Sequence, residues 1–314
     1  MNTTHTFFIA VTAALILCPA PVACLPQVFQ RKTHEELIRK EYTITPNGTL
    51  TVENVHGNIH ITTQPNKKTI TLSATKKASN AQKLAALRIT DDKPSANTIS
   101  IRTAHDESAT PGTVDYALNV PSNLTLKLVT REGSIDVSNM NGSVFAKTVD
   151  GDITLNNIHN SVKAFAKKSG SISMSYVDGI ITTSTHKGDI SIVDPGKNVQ
   201  AQVTLKGAID VQCSQPIHNT KLCLESTAGN IALSLPHTIN ADFQAKAEKG
   251  KVECEHKLRI KSYVTTLDDQ AWSQFKKEVN AVLGSNASNT NHVKLHAKNG
   301  NISVQESNPK TAVG

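Results

Sequence analysis

The chain has 314 residues, enough for one large domain or two small ones, and a formal net charge of +7. Aromatic residues make up only 4% of it, whereas Thr, Ser, Asn, Val and Ile recur throughout, which favours narrow β coils over a helical globular core. The basic charge would suit an acidic partner, although scattered lysines also serve solubility. Because no cluster of Lys or Arg interleaved with aromatic residues is visible along the sequence, we do not expect nucleic acid as a partner.

The first 24 residues are predicted to be a secretory signal peptide. Residues 7–17 form an apolar run too short to span a membrane, and small residues follow it in the segment Pro19–Cys24. Cys24 resembles the lipid-modified cysteine of bacterial lipoproteins, and lipidation there would attach the protein to a membrane. Ordinary cleavage near Ala23 or Cys24 is the alternative.

Two segments are expected between the signal peptide and the repeats. Residues 25–40 form a linker, and the charged stretch Arg31–Tyr42 could open with a short helical turn. Residues 41–123 are predicted to be β-rich, because apolar and polar residues alternate there in short runs separated by Gly and Pro. Within this part Ala78–Ala86 is the exception, since its Ala and Leu residues recur at helical spacing and predict a helix.

A repeat organises residues 124–305. Each unit begins with a glycine, followed by a small or polar residue, a β-branched aliphatic residue, a polar residue and another aliphatic residue, as in Gly151–Leu155 and Gly188–Ile192. The first four units are 18 or 19 residues apart, and a weaker copy of the pattern lies halfway through each. Such alternation is typical of half-buried strands, and a fixed period with two strands per unit is typical of stacked repeats. We therefore predict an all-β chain that forms a parallel β-solenoid, a β-helix-like fold.

The repeat glycines are predicted to form the turns between strands, because glycine accepts backbone angles that other residues avoid. These structural turn glycines are Gly133, Gly151, Gly170, Gly188, Gly207, Gly229 and Gly250. A bulky side chain at such a turn should destabilise the fold.

A short helix is predicted near the C-terminus, inserted before the last repeat. The apolar residues of Trp272–Val282 fall at helical spacing and Gly284 fits a helix stop, so the helix would span 267–284. Its tryptophan would pack on or cap the end of the solenoid, with ligand binding as the alternative. The unit Gly300–Val304 then returns the chain to the sheet, and residues 306–314 are expected to be a disordered tail.

Three cysteines lie beyond the signal peptide. Cys254 falls at an inward position of its repeat and is expected to be a small core residue. Cys213 lies just past one predicted strand and Cys223 lies within the next, so a disulfide between them could form in an oxidising compartment.

The polar residues of the repeats form no recognisable catalytic or metal-binding motif. Asp152 and Asp189 are predicted to lie at turns, where single carboxylates are usually solvated, whereas a catalytic pair needs carboxylates gathered on neighbouring coils. Two pairs of histidines have the spacing of a helical metal site, namely His56/His60 and His292/His296. Because each pair lies in or beside predicted strands, where residues four apart are about 13 Å apart, we expect no metal, no cofactor and no catalytic residues.

Several motifs together resemble a known bacterial family. They are the strand pattern of Leu50–Ile59, the strand Tyr116–Pro121 with its final Val-Pro, and the Gly-Asp-Ile units Gly151–Ile153 and Gly188–Ile190. In this order the chain looks like the putative-adhesin β-strand-repeat domain, a family of unknown function often found in secreted, lipid-anchored or membrane-tethered envelope proteins. The resemblance covers about residues 41–255 and implies adhesion by fold analogy.

The sequence thus predicts a secreted, non-enzymatic protein of the cell envelope, in the periplasm, the outer membrane or on the cell surface. It would mediate adhesion through repetitive polar faces that contact a glycan or protein ligand. The first alternative is a periplasmic structural or envelope-stress module that binds one protein partner by strand addition. The second is a polysaccharide lyase or hydrolase built on a β-helix.

Overall fold

The computed structural model describes residues 33–64, 67–104, 112–261, 276–284 and 291–307. All of them belong to one compact unit that starts at Thr33. Strands account for 67% of the structure and helix for 2%, so the predicted all-β class is confirmed. No helix in these ranges is long and apolar enough to cross a membrane. The predicted signal peptide with Cys24 lies outside the described residues.

The N-terminal part contains seven strands and a short helix. They are β1 (His34–Thr43), β2 (Thr49–Glu53), β3 (Ile59–Thr63), β4 (Thr69–Ala78), α1 (Ala81–Ala86), β5 (Arg88–Ser95), β6 (Thr98–Ala104) and β7 (Thr113–Val120). The helical turn expected at the opening of Arg31–Tyr42 begins outside the described residues, and from His34 onward the chain is a strand, because all ten residues of β1 pair antiparallel with β4. The predicted helix is confirmed over its last six residues, Ala81–Ala86, and the Asn80 side chain caps it by accepting a hydrogen bond from the backbone N–H of Lys83 at 2.8 Å.

The central part consists of twelve short strands. They are β8 (Thr125–Val129), β9 (Ile135–Met140), β10 (Val144–Asp150), β11 (Ile153–Ile158), β12 (Val162–Ser169), β13 (Ile172–Val177), β14 (Ile181–Lys187), β15 (Ile190–Pro195), β16 (Val199–Lys206), β17 (Ile209–Gln212), β18 (Lys221–Ala228) and β19 (Ile231–Leu235). Consecutive strands alternate between two sheets, and neighbours within each sheet are parallel and one repeat apart. Each repeat therefore contributes two strands, as predicted.

The C-terminal part contains the last six strands. They are β20 (Ala241–Ala247), β21 (Val252–Cys254), β22 (Leu258–Ile260), β23 (Glu278–Leu283), β24 (Asn291–Asn299) and β25 (Ile302–Glu306). The predicted helix 267–284 is wrong in its described portion, because 278–283 form β23, which pairs antiparallel with β20. Trp272 and Phe275 lie outside the described residues. Of the tail expected to be disordered, Glu306 ends β25 and Ser307 donates its N–H to the carbonyl of Leu235 at 2.7 Å, whereas 308–314 are not described.

The sheet order departs from the sequence order at both ends. The first sheet runs β1-β4-β7-β3-β9-β11-β13-β15-β17-β19-β25-β21, and the second runs β22-β23-β20-β24-β18-β16-β14-β12-β10-β8-β2-β6-β5. The last two strands of the chain are therefore interior strands. β24 lies between β18 and β20, and β25 lies between β19 and β21.

The core consists of side chains stacked from strand to strand between the two sheets. Equivalent residues of successive repeats form continuous ladders, such as the isoleucines Ile135, Ile153, Ile172, Ile190, Ile209 and Ile231, each at most 1% exposed. Burial of an aliphatic side chain of this size stabilises the fold by about 1.5–3 kcal/mol. Because every second residue faces inward, the intervening residues form two outward sheet faces.

The repeat glycines stack directly on one another. Gly151 and Gly188 have φ values of +144° and +134°, which L side chains rarely adopt. A Cβ built on Gly151 would overlap the carbonyl oxygen of Gly133, and one built on Gly188 would overlap that of Gly170. Gly250 also lies in this stack, where it meets the carbonyl of Gly300 instead of Gly229 because β24 and β25 intervene.

Candidate functional site

In several repeats the residue after the glycine holds the turn together through its side chain. Asp152 accepts a hydrogen bond from the backbone N–H of Ser171 at 2.8 Å, and Asp189 accepts one from Ala208 at 2.8 Å. Asn230 accepts the N–H of Asn301 in the same way at 2.9 Å. These side chains satisfy backbone donors of the next repeat, so the Asp of the Gly-Asp-Ile motif has a structural role.

Many of the other titratable side chains form local pairs. Among the residues that the structure describes, no group of three or more His, Cys, Asp or Glu could hold a metal ion. The histidines of the two i, i+4 pairs contact separate carboxylates: His60 Nδ1 lies 3.2 Å from Asp136, and His296 Nε2 lies 2.9 Å from Glu248. Hydrogen bonds from Lys168 and Ser169 hold the pKa of Asp150 below its ordinary value. Such pairing is typical of a solvated surface.

Among the described residues, Cys213, Cys223 and Cys254 are free thiols. Cys213 is buried in the core, where burial and the nearby Asp194 carboxylate raise the pKa of its thiol to about 12. Cys223 faces outward on β18, between the inward residues Leu222 and Leu224. The Cys213–Cys223 disulfide considered from the sequence is thus not formed here, since Cys213 lies in the core between the sheets and Cys223 faces outward from the second sheet. Cys254 packs partly buried against the core.

The outward face of the first sheet presents rows of small polar side chains. Thr154 on β11, Ser173 on β13 and Ser191 on β15 lie directly opposite one another, with Asp136 and Asp210 continuing the row on either side. Successive members are one strand spacing apart, about 4.8 Å. This face therefore offers a regular row of hydroxyl groups.

The outward face of the second sheet presents lysines and phenylalanines in alternation, which we call the Lys–Phe face. It consists of Lys127 on β8, Phe145 and Lys147 on β10, and Lys163, Phe165 and Lys167 on β12. In one row Phe145 lies opposite Lys127 on one side and Lys163 on the other. In the next row Lys147 lies opposite Phe165. Lysines and aromatic residues therefore do cluster in the folded protein, although the sequence analysis identified no such cluster along the chain, and the expectation of no nucleic acid stays a prediction.

The two rings of the Lys–Phe face are fixed against each other and against a cation. The centroids of Phe145 and Phe165 are 6.0 Å apart with the ring planes tilted by 53°. Lys167 Nζ lies 5.8 Å from the centroid of Phe165, within the range of a cation–π contact. The rings are half-buried, whereas Lys127, Lys163 and Lys167 are exposed. None of the four lysines forms an ion pair with another described residue.

A shallow concavity lies where the repeats leave the first sheet. In the first-sheet strands of the repeats, the residue just before the final, inward residue has a left-handed backbone. Examples are Asn139 at φ +59°, Asn157 at +56° and Asp194 at +49°. Asn and Asp tolerate this conformation, but the same position in the third repeat is Tyr176, at φ +55° and 49% exposed. The Tyr176 ring lines the concavity together with Asp178.

Comparisons with known proteins find similar structures but no similar sequences. No family model and no curated protein matches the chain. It is similar to a solved putative cell adhesion protein from Clostridium sporogenes (11% identity, TM-score 0.25, covering 87% of this chain and 100% of that one). It is also similar to a putative adhesin from Bacteroides fragilis (9% identity, TM-score 0.35, covering 87% of this chain and 97% of that one). A third similar structure is a putative adhesin from Parabacteroides distasonis (12% identity, TM-score 0.26, covering 85% of this chain and 97% of that one). All three structures are named as putative adhesins or cell adhesion proteins, as is the family that the sequence motifs resemble. Because their TM-scores are below 0.5, the function has to be argued from this chain's own residues.

Proposed function

We propose that the chain is an adhesin-like, non-enzymatic protein of the cell envelope, secreted across the inner membrane, whose strand pairs are the coils of a β-solenoid. Its task is to hold another surface through the outward faces of the two sheets. The ligand is a glycan or a protein, and lipidation of Cys24 would attach the protein to a membrane.

The register of the outward rows is the observation that supports this proposal best. In the first sheet the row through Thr154, Ser173 and Ser191 repeats one type of contact at each strand. A flat face of this kind binds through many weak contacts whose effects multiply when they are linked. Binding should therefore depend on the whole face and not on one residue.

An enzymatic role is less compatible with the carboxylates that the repeats supply. Asp152 and Asp189 are both engaged with backbone N–H groups of the following repeat. A general acid or base needs a carboxyl group that is free to reach a substrate proton. These two side chains are committed to the fold.

Binding of one partner by strand addition is disfavoured by the outermost described strands. β1 and β5 carry many charged residues, and β5 also contains Pro94, which cannot donate a backbone hydrogen bond. At the other ends of the sheets β21 and β22 have only three residues each. Charge, proline and short length are the ways in which natural edge strands avoid pairing with other chains.

Protease treatment of intact cells tests the proposed location. Blotting for this protein and for a soluble periplasmic control should show loss of this protein while the control survives. Protection of both proteins would contradict surface adhesion and would favour the periplasmic module.

A further inference from the structure

The Lys–Phe face has an excess of positive charge that the described part of the protein does not neutralise. Lys127, Lys147, Lys163 and Lys167 lie on three neighbouring strands without an ion pair to any described residue. Glu53, on the adjoining strand β2, is already paired with Arg102 at 3.3 Å. Four cations held on a rigid sheet attract an anionic polymer without the cost of ordering a loop.

The spacing of this face suits a chain of charged rings. Lys127 and Lys163 lie two strands apart, about 10 Å, with Phe145 between them. A polymer lying across the strands would place its anionic groups on the two lysines and an intervening ring on the phenylalanine. The neighbouring row repeats the combination with Lys147 and Phe165.

We propose that the Lys–Phe face binds an acidic polysaccharide whose sugar rings carry carboxylates. Sugar rings have an apolar C–H face that packs on an aromatic ring, while their carboxylates pair with the ammonium groups. The proposal rests on the proposed function, since it names the partner of one outward face.

The geometry of the two rings favours this partner over other polyanions, whereas the four cations do not discriminate, because lysine ammonium groups pair with carboxylates and phosphates alike. The two rings are half-buried between the lysines and tilted by 53°, so they offer neither protruding wedges for a lipid bilayer nor parallel platforms for consecutive bases.

The test compares two charge variants of equal net charge in binding to polygalacturonate of defined length, with neutral dextran as the reference polymer. The first variant replaces all four lysines of the Lys–Phe face by glutamine. The matched control replaces four exposed lysines of the C-terminal part by glutamine, namely Lys251, Lys257, Lys277 and Lys298. We expect the first variant to lose affinity by about tenfold or more and to show a weaker salt dependence, while the control changes little. Equal losses in both variants would overturn the proposal, because they would indicate attraction by net charge alone.

The second comparison removes the rings and keeps the charge. Phe145→Thr and Phe165→Thr introduce a residue that already occupies the Phe145 row two strands away on either side, at Thr51 and Thr182. The double variant should fold with an unchanged melting temperature and lose affinity by about fivefold, because stacking is removed. Full retention of affinity would overturn the role of the rings.

Two further probes separate the polysaccharide from other anions and from the proposed function. A single-stranded DNA oligonucleotide and vesicles of phosphatidylcholine with phosphatidylglycerol should bind more weakly than polygalacturonate at equal salt, and tighter binding of either would overturn the assignment. Binding in solution does not depend on where the protein is located in the cell. A surface-exposed protein that fails to bind polygalacturonate would overturn this inference alone, whereas a binding protein that is protected in intact cells would overturn only surface adhesion.

Discussion

At the scale of single residues, the fold depends on backbone groups that approach too closely for any side chain. Each stacked glycine lies against the backbone carbonyl of the glycine one repeat away, as Gly151 lies against Gly133. Positive φ and this close approach act together, so the position requires glycine for two independent reasons.

Gly151→Val and Gly188→Val should each destabilise the protein by about 3 kcal/mol or more, because the new side chain would be strained and would force two repeats apart. Thermal melting followed by circular dichroism measures the effect. Thr154→Val, on the outward face of β11, is the matched control and should melt close to the wild type. Unchanged melting of both glycine variants would contradict the stacked arrangement.

Buried hydroxyl groups make the second contribution at this scale. The Thr185 hydroxyl donates to the carbonyl of Gly170 at 2.8 Å and is 1% exposed. Thr183, two residues earlier on the same strand, is 2% exposed, and its hydroxyl has no hydrogen-bond partner among the described residues. The two positions therefore differ in hydrogen bonding at nearly equal burial.

Valine substitutions at these two positions should have opposite outcomes. Thr185→Val should lower the free energy of unfolding by about 1–2 kcal/mol, because it leaves a glycine carbonyl without its donor. Thr183→Val should be neutral or stabilising, since it removes a buried hydroxyl group that has no hydrogen-bond partner among the described residues. Urea denaturation measures both changes, and equal effects would show that side-chain shape and not hydrogen bonding controls this ladder.

At the scale of the repeat element, the polar residue after the glycine connects one turn to the next. Asp189→Ala should lower stability by about 1 kcal/mol, because the N–H of Ala208 loses its acceptor. Asp189→Asn should retain most of the stability, since Asn230 performs the same task with an amide oxygen. Melting temperatures of the two variants test this, and a loss in the asparagine variant equal to that of alanine would indicate that the negative charge matters instead of the hydrogen bond.

The repeat elements themselves are readable from the sequence because their pattern is local. Alternation and glycine spacing define each strand and turn within a few residues. The same rule explains the error at 267–284, where the buried residues Val279, Ala281 and Leu283 alternate with period two. The spacing of Trp272, Phe275, Val279 and Val282 had suggested a helical face, but in the described portion the strand period decided the structure.

The Lys–Phe face was missed because it combines residues of three strands that are one repeat apart in the sequence. Lys127, Phe145 and Lys163 become neighbours only when the repeats are aligned at their glycines and stacked in parallel register. Such an alignment was possible from the glycine period and would have revealed the cluster. Composition and local charge runs cannot detect it, because each strand contributes only one to three of these residues.

At the scale of the whole described unit, the order of the strands follows rules that the sequence pattern does not contain. The repeats share one apolar pattern, so each could pair with several others in parallel register. β24 could therefore follow β20 or lie between β18 and β20, and the structure has the second arrangement. The last described segment, 291–307, consequently lies between strands that precede it in the chain.

A chain that ends after Gly284 should therefore lose more than one outer repeat. It lacks the buried residues Val293, Leu295, Ile302 and Val304, whose burial contributes on the order of 6–12 kcal/mol. It also leaves β20 and β21 without their parallel neighbours, so we expect the C-terminal strands to unfold and to be cleaved by protease at low temperature.

The control for this truncation ends the chain after Ser307, which keeps β24 and β25 and should melt like the full chain. A synthetic peptide spanning 291–307, added to the chain that ends after Gly284, should restore protease resistance, because the vacant position lies between strands that already have the parallel register. If the chain ending after Gly284 melted at the temperature of the full chain, the interior position of β24 and β25 would be contradicted. Restoration by the peptide would show that these two strands can bind as a separate segment, and a partner offering the same Gly-x-Ile-x-Val pattern could then compete for the position.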